Sequence, residues 1–268
     1  MSKTHVRSLN DNQLVTLLAI YSLRFSTRSV LSGYLNIANN TSLYSRLQIL
    51  QKHGYIASHY HKSYKLAGRE AEYYLLPKGL KVLHDAGKIE ATNTMVSTLY
   101  RDATVGSEFV EQQVQVASIR NRLAENYDHI QIFTARDTQD LDYFPKPRPD
   151  LFISLKNGDV VTRFFLEYIP SRMADSSIRK RLDRLVRHYK DDTWSDTDTS
   201  YPTILFVAET RLVEAGLRRQ IGRMKYNSDE DIAAYTSSLS ELSLLARDGQ
   251  KIWTDPADKD TPLSLLEL

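Results

Sequence analysis

Pro147-Arg148-Pro149-Asp150-Leu151-Phe152-Ile153-Ser154-Leu155-Lys156-Asn157-Gly158-Asp159-Val160-Val161-Thr162-Arg163-Phe164-Phe165-Leu166-Glu167-Tyr168-Ile169 is the stretch on which the fold turns. Asn157-Gly158 stands between two apolar, β-branched and aromatic runs, and a tight hairpin turn needs residues that tolerate positive φ at that place. With 157 and 158 as the loop, Asp150 faces Phe165 and Arg148 faces Glu167. Because side chains alternate along a strand, Asp150 and Glu167 then share one face as diagonal neighbours, roughly 7–8 Å apart. The other face carries Leu151, Ile153, Leu155, Phe164, Leu166 and Tyr168, and is expected to be core.

The hairpin predicts the elements around it. A helix is expected from Ser107, with Phe109, Val110, Val114, Ala117 and Leu123 toward the core, followed by a strand at His129–Phe133. After the hairpin, Ile178, Leu182, Leu185, Val186 and Tyr189 form the apolar stripe of a helix over 176–190. Thr203–Ala208 is a short continuous apolar run of the kind found in a strand buried on both faces. A helix over 212–224 and a strand near 232–235 complete the order. The acidic stretch Asp191–Asp198 lacks the Gly and closing Glu of a calcium loop and is expected to be a surface loop.

The first third has a different pattern. Leu14, Leu17, Leu18, Tyr21 and Phe25 recur at helical spacing, and Ser26 or Thr27 can cap a second helix bearing Val30, Leu31, Tyr34 and Leu35. Thr41 or Ser42 can cap a third, which turns Leu43, Leu47 and Leu50 inward and stops at Gly54. Two strand-like runs, Tyr55–Tyr60 and Glu72–Leu76, then flank the basic loop His61–Arg69. Three short helices followed by such a ribbon predict a winged helix-turn-helix. Its third helix would present Ser42, Tyr44, Ser45, Arg46, Gln48 and Lys52 to a DNA major groove, and its wing His61, Lys62, Lys65 and Arg69 to phosphates. Pro77–Gly87 is expected as one more helix, started by Pro and ended by Gly. The domains are thus 1–87, a polar linker over 88–104, and an α/β domain over 105–268 with an acidic C-terminal tail.

Composition narrows the classes. At 268 residues, with 41% apolar and 25% charged content, the chain is an ordinary globular one of one or two domains. It has no cysteine, which excludes disulfides and thiolate metal sites and suits a reducing compartment. No run matches a membrane span, and a cytoplasmic location is expected. The net charge of +2 is unevenly spread: residues 172–190 hold seven Lys or Arg against two Asp, and residues 228–268 hold nine acids against three bases. That distribution suggests a polyanion met by particular surfaces, with Arg179, Arg181, Arg184 and Arg187 as a backbone clamp or as a solvated helix face. The seven His show no metal spacing, although His59 and His61 could share a strand face.

An Asp after Pro at the start of one strand and a Glu near the end of the next resembles the PD-(D/E)XK nuclease-like core, whose carboxylates hold a divalent metal. With the preceding winged-helix pattern, the chain resembles the replication-relaxation family of plasmid-associated proteins, over roughly residues 12–225. The resemblance implies Asp150 and Glu167 as catalytic and magnesium-binding positions, with Glu108 or Glu111 as a further acid. It departs at Ile169, where the nuclease motif has Lys and replication-relaxation relatives carry an acid. Lys146 or Arg163 could stand in for the lysine. Arg148 opposite Glu167 would instead make a cross-strand ion pair that leaves no free carboxylate pair. The expectation is a double-stranded-DNA-binding homodimer acting in replication, mobilisation or regulation of a plasmid or related mobile element, alongside replication or mobilisation proteins. It would carry no cofactor and a nuclease-like domain that has lost cleavage. An active magnesium-dependent endonuclease and a protein-protein adaptor are the alternatives.

Overall fold

The structure, a computed structural model, describes residues 9–38, 40–60, 62–228, 232–246, 249–258 and 260–268. The chain forms two compact units, Met1–Ser118 and Ile119–Leu268.

In the first unit, α1 (Asp11–Leu23) begins in a capping box: Asn10 accepts from the Gln13 N–H and the Gln13 side chain returns the bond. A short strand β1 (Phe25–Ser26) leads to α2 (Arg28–Tyr34), capped by Thr27. The helix α3 (Asn40–Lys52) starts just before either expected cap and stops at Gly54, whose φ of +69° a side chain would resist. Leu43, Leu47 and Leu50 are fully buried, as their spacing predicts, in one core with Leu17, Ile20, Leu31 and Ile56. The run after Gly54 does form a paired ribbon: β2 (Ile56–His59) lies antiparallel to β3 (Glu72–Leu75), and β3 also pairs with β1.

Two features of this unit differ from expectation. The basic loop between β2 and β3 contains a short helix α4 (Lys62–Leu66). Beyond α5 (Pro77–Asp85), the segment 88–104 is no free linker but carries a helix α6 (Asn93–Asp102). Met95, Val96 and Leu99 of α6 pack into the same core, and Asp102 is buried against Arg24 at 2.7 Å. Isolated apolar residues in a polar context hide this helix in the sequence: among its described side chains, Met95, Val96 and Leu99 are the apolar ones that pack inward. The long helix α7 (Ser107–Asn126) begins where predicted, and its Val110 packs with Phe25 and Tyr74.

The second unit is a five-stranded mixed sheet with strand order β4-β5-β6-β7-β8, where β4 is Ile130–Thr134, β5 Leu151–Asn157, β6 Val160–Ile169, β7 Thr203–Ala208 and β8 Ala234–Ser238. The first three strands are antiparallel, and the β6-β7 and β7-β8 pairs are parallel. Parallel neighbours require crossovers, which α8 (Asp175–Lys190) and α9 (Arg211–Ser228) supply. Ile178, Leu182 and Leu185 of α8, and Leu217 and Ile221 of α9, pack on Phe165, Ile204 and Phe206. The other face buries Leu151, Ile153, Leu155, Phe164, Leu166 and Tyr168, the six residues expected there.

The acidic stretch 191–198 holds a 3-10 turn, Thr193–Thr197, that buries Trp194. The C-terminal stretch is not a free tail. It follows a short helix α10 (Leu239–Leu242) and folds back, with Thr254 bridging Thr236 and with Ile252, Trp253 and Leu265 buried. These apolar residues outweigh the acids that surround them. No helix among the described residues is long and apolar enough to cross a membrane.

Glu214 of α9 is buried, accepts a 2.9 Å hydrogen bond from Thr236 Oγ1 and lies 3.5 Å from Arg218. Burial, reinforced by the charge of Glu241, pushes its carboxyl up. A raised folded pKa means that the fold favours the protonated form: its contribution is full below the unfolded carboxylate value and is lost as pH rises through the folded one. Glu214→Gln keeps the acceptor and removes the charge. Thermal melts should show the variant more stable than the parent at pH 7, with the gain vanishing near pH 4; a loss at pH 7 would contradict this.

Candidate functional site

The hairpin β5-β6 forms, but its register differs from the expected one by two residues. Asn157 pairs with Val160 and Leu151 with Leu166, so the loop is Gly158-Asp159. Gly158 alone takes positive φ, +61°, at the first loop position, where a type II′ turn calls for glycine; Asn157 stays in the strand. A shift of two preserves side-chain parity. Continued by one pair, this register sets Asp150 directly across from Glu167 on one face, closer than the diagonal expected.

The alternative of an Arg148–Glu167 ion pair does not form. Arg148 ties down the preceding loop, donating to the carbonyls of Phe144 at 2.7 Å, Gln139 at 2.9 Å and Leu141 at 2.6 Å. Two other arginines come down from α8. Arg181 Nη1 lies 2.6 Å from Glu167 Oε2 and 3.2 Å from Asp150 Oδ2, and Arg184 Nη2 bonds Glu167 Oε1. The Tyr168 N–H donates to Asp150 Oδ2 at 2.8 Å. The quartet holds two formal negative and two formal positive charges on Asp150, Glu167, Arg181 and Arg184.

Glu167 is 1% exposed. Burial pushes its carboxyl above the ordinary range; Arg184 works against that shift, Asp150 adds to it and Arg181 opposes it. Arg181 is held above its own ordinary value, because the charges of Asp150 and Glu167 outweigh the burial that would lower it.

These residues do not fit a divalent cation. The Glu167 oxygens already take guanidinium donors, and a metal between the carboxylates would sit against two fixed positive charges. Among the described residues no three Asp, Glu or His are grouped as metal ligands. Glu111 pairs with Arg69 at 2.9 Å in the first unit. Ile169 is fully buried, and Lys146 is turned to Asp142 at 2.7 Å. Arg181 and Arg184 flank the apolar stripe at 178, 182 and 185, and that adjacency is the signal that they turn inward. Arg184 is thus an internal partner of Glu167, whereas Arg179 and Arg187 remain exposed on α8.

In the first unit, Ser42, Tyr44, Ser45, Gln48 and Lys52 are exposed along α3 and Arg46 is half-buried, its Nη2 3.2 Å from Ser42 Oγ. Arg28, which spacing did not single out, reaches the same face, its guanidinium 5.7 Å from the Tyr44 ring. Lys65 is exposed. Arg69 is partly spent, bonding Glu72 at 2.9 Å and lying 4.2 Å from the Tyr64 ring. His61 and the Lys62 side chain lie outside the described residues. His59 stacks on Tyr74 at 4.7 Å, and its Nε2 lies 3.1 Å from the Asp102 carbonyl.

No curated protein matches the chain. Two solved structures of restriction endonuclease FokI, the second bound to DNA, are similar over 87% and 88% of this chain, at 10% identity and TM-scores of 0.33 and 0.32. The chain spans 42% and 45% of their lengths, and a likeness this weak does not establish a shared fold. The family model described as replication-relaxation matches residues 17–204, more than two thirds of the chain, and includes α3, the hairpin and both inward arginines. On that match, the chain belongs to the replication-relaxation family.

Proposed function

We propose that the protein binds double-stranded DNA through a winged helix formed by its first unit. It would act as a homodimer in replication, mobilisation or regulation of a plasmid or related mobile element, without cutting the DNA. The observation that carries this reading is the division of α3: Leu43, Leu47 and Leu50 are fully buried while hydroxyl, amide and cationic side chains line its exposed side. Such groups at the surface of a helix that follows a tight helical turn can bond base edges and phosphates. The β2-β3 ribbon beside it supports a wing, with Lys65 exposed near its tip.

Fluorescence anisotropy with a duplex drawn from the element that encodes the protein tests this. Arg46→Ala should weaken binding by about tenfold, the loss expected of one base or phosphate contact. Lys52→Ala should lower the slope of log affinity against log salt by about one. Unchanged affinity in both variants, or binding indifferent to salt, would remove α3 from a DNA site and favour a protein-binding adaptor.

The element order α7-β4-β5-β6-α8-β7 supports a nuclease-like frame for the second unit, and Asp150 opposite Glu167 favours a second reading, metal-dependent cleavage. The guanidiniums that fill the carboxylates speak for the non-cleaving one. Supercoiled DNA with magnesium or manganese decides between them: cutting that disappears in Asp150→Ala would overturn the preferred reading.

A further inference from the structure

Beside the carboxylate–arginine quartet, the same face of the sheet carries a second feature. Phe133 on β4 pairs in register with Phe152 on β5, their ring centroids 5.9 Å apart. Trp194 lies 5.9 Å from Phe152, and Tyr143 lies 5.6 Å from Trp194. These rings line a cavity of about 360 Å³, within the range of small-ligand sites, which combine aromatic walls with a few polar groups.

Two polar groups of this cavity are incompletely used. The guanidinium of Arg163 on β6 lines it with no ion pair or side-chain hydrogen bond among the described residues. Asp137 accepts from the Thr134 N–H at 2.7 Å and its hydroxyl at 2.8 Å, both through Oδ2, and Oδ1 takes no bond among the described residues. Phe133 stays 37% exposed at the edge of the sheet. A ligand that satisfies all of these is flat and aromatic, carries a negative group for the guanidinium and offers a hydrogen-bond donor to the carboxylate.

We propose that this cavity binds a nucleotide whose base bears an exocyclic amine: the base against Phe133, Phe152 and Trp194, the amine toward Asp137, the phosphate at Arg163. Every base offers a π-face to such rings, and stacking of this kind is worth roughly 1–3 kcal/mol by alanine substitution. The nucleotide could be free or a single unit of a DNA strand turned out of its stack; the chemistry is shared. The site does not depend on the DNA reading of α3, whose variants leave it untouched.

Saturation-transfer NMR with dAMP, dCMP, dGMP, dTMP and ribose 5-phosphate at millimolar concentration, together with tryptophan fluorescence, tests the proposal. Base protons of dAMP should receive saturation, and dTMP should bind more weakly. Phe133→Ala and Arg163→Ala should each weaken binding by about tenfold. Both positions are at the surface or partly so, and unchanged melting temperatures will show that the variants fold. A duplex with one unpaired base that displaces dAMP identifies the strand as the source; failure to displace it identifies the free nucleotide. Ribose 5-phosphate binding as tightly as dAMP, no saturation at all, or binding indifferent to both substitutions would overturn the proposal.

Discussion

Arg184→Ala should lower the unfolding free energy by about 3–5 kcal/mol, because it strips a buried carboxylate of a cation and leaves the charge in place. Glu167 is almost wholly enclosed, and Arg184 supplies one of its two guanidinium partners. The loss should therefore exceed that from Arg179→Ala or Arg187→Ala, whose side chains are exposed on the same helix. Adding Glu167→Leu to an Arg184→Met protein should return stability to within about 1 kcal/mol of the parent, since apolar replacement of a buried ion pair is often neutral. Urea denaturation measures both. An Arg184→Ala protein within 1 kcal/mol of the parent would mean that the quartet does not hold α8 to the sheet.

Gly79→Ala should cost about 3 kcal/mol, against the gain of roughly 1 kcal/mol that alanine brings to a helix interior. A methyl group there would fall on the carbonyl oxygen of Tyr55 and 2.6 Å from Leu75 Cδ1. Leucine can shift, but the Tyr55 carbonyl also accepts the Leu76 N–H at 2.9 Å and is fixed where β2 begins. The damage should reach the β2-β3 ribbon and, on the proposed function, duplex affinity should fall with stability. A melt as high as the parent's would show that α5 can stand away from the ribbon.

Much of this architecture could be read from residue pattern alone, and the failures have definite causes. Periodicity located α1, α3, α7, α8 and β7 because each buries a continuous stripe or run. Asn157-Gly158 marks the hairpin correctly, yet the loop lies one residue later and the pairing shifts by two, because only Gly158 takes positive φ. Parity protected the important conclusion, that Asp150 and Glu167 share a face. Strand pairing points to Arg148 as the alternative partner of Glu167, because it is the only proximity the sequence offers there. Arg181 and Arg184 come from a helix more than ten residues downstream and are recognisable only by their place beside the α8 stripe. The helix α6 was hidden by polar residues, and the folding back of the C-terminal stretch by its acids; in both, a few buried apolar groups decide the outcome.

The direct opposition of Asp150 and Glu167 also bears on how the second unit assembles. A hairpin closes locally and early, whereas parallel strands wait for their crossover helices. When β5 and β6 first meet, two like charges confront each other with no counter-ion from their own strands. Arg181 and Arg184 of α8 supply the cations that relieve that opposition, and α8 is the same segment that carries the chain across to β7. Local closure and long-range crossover should therefore be coupled, since the hairpin's carboxylates find their cations on the crossover helix.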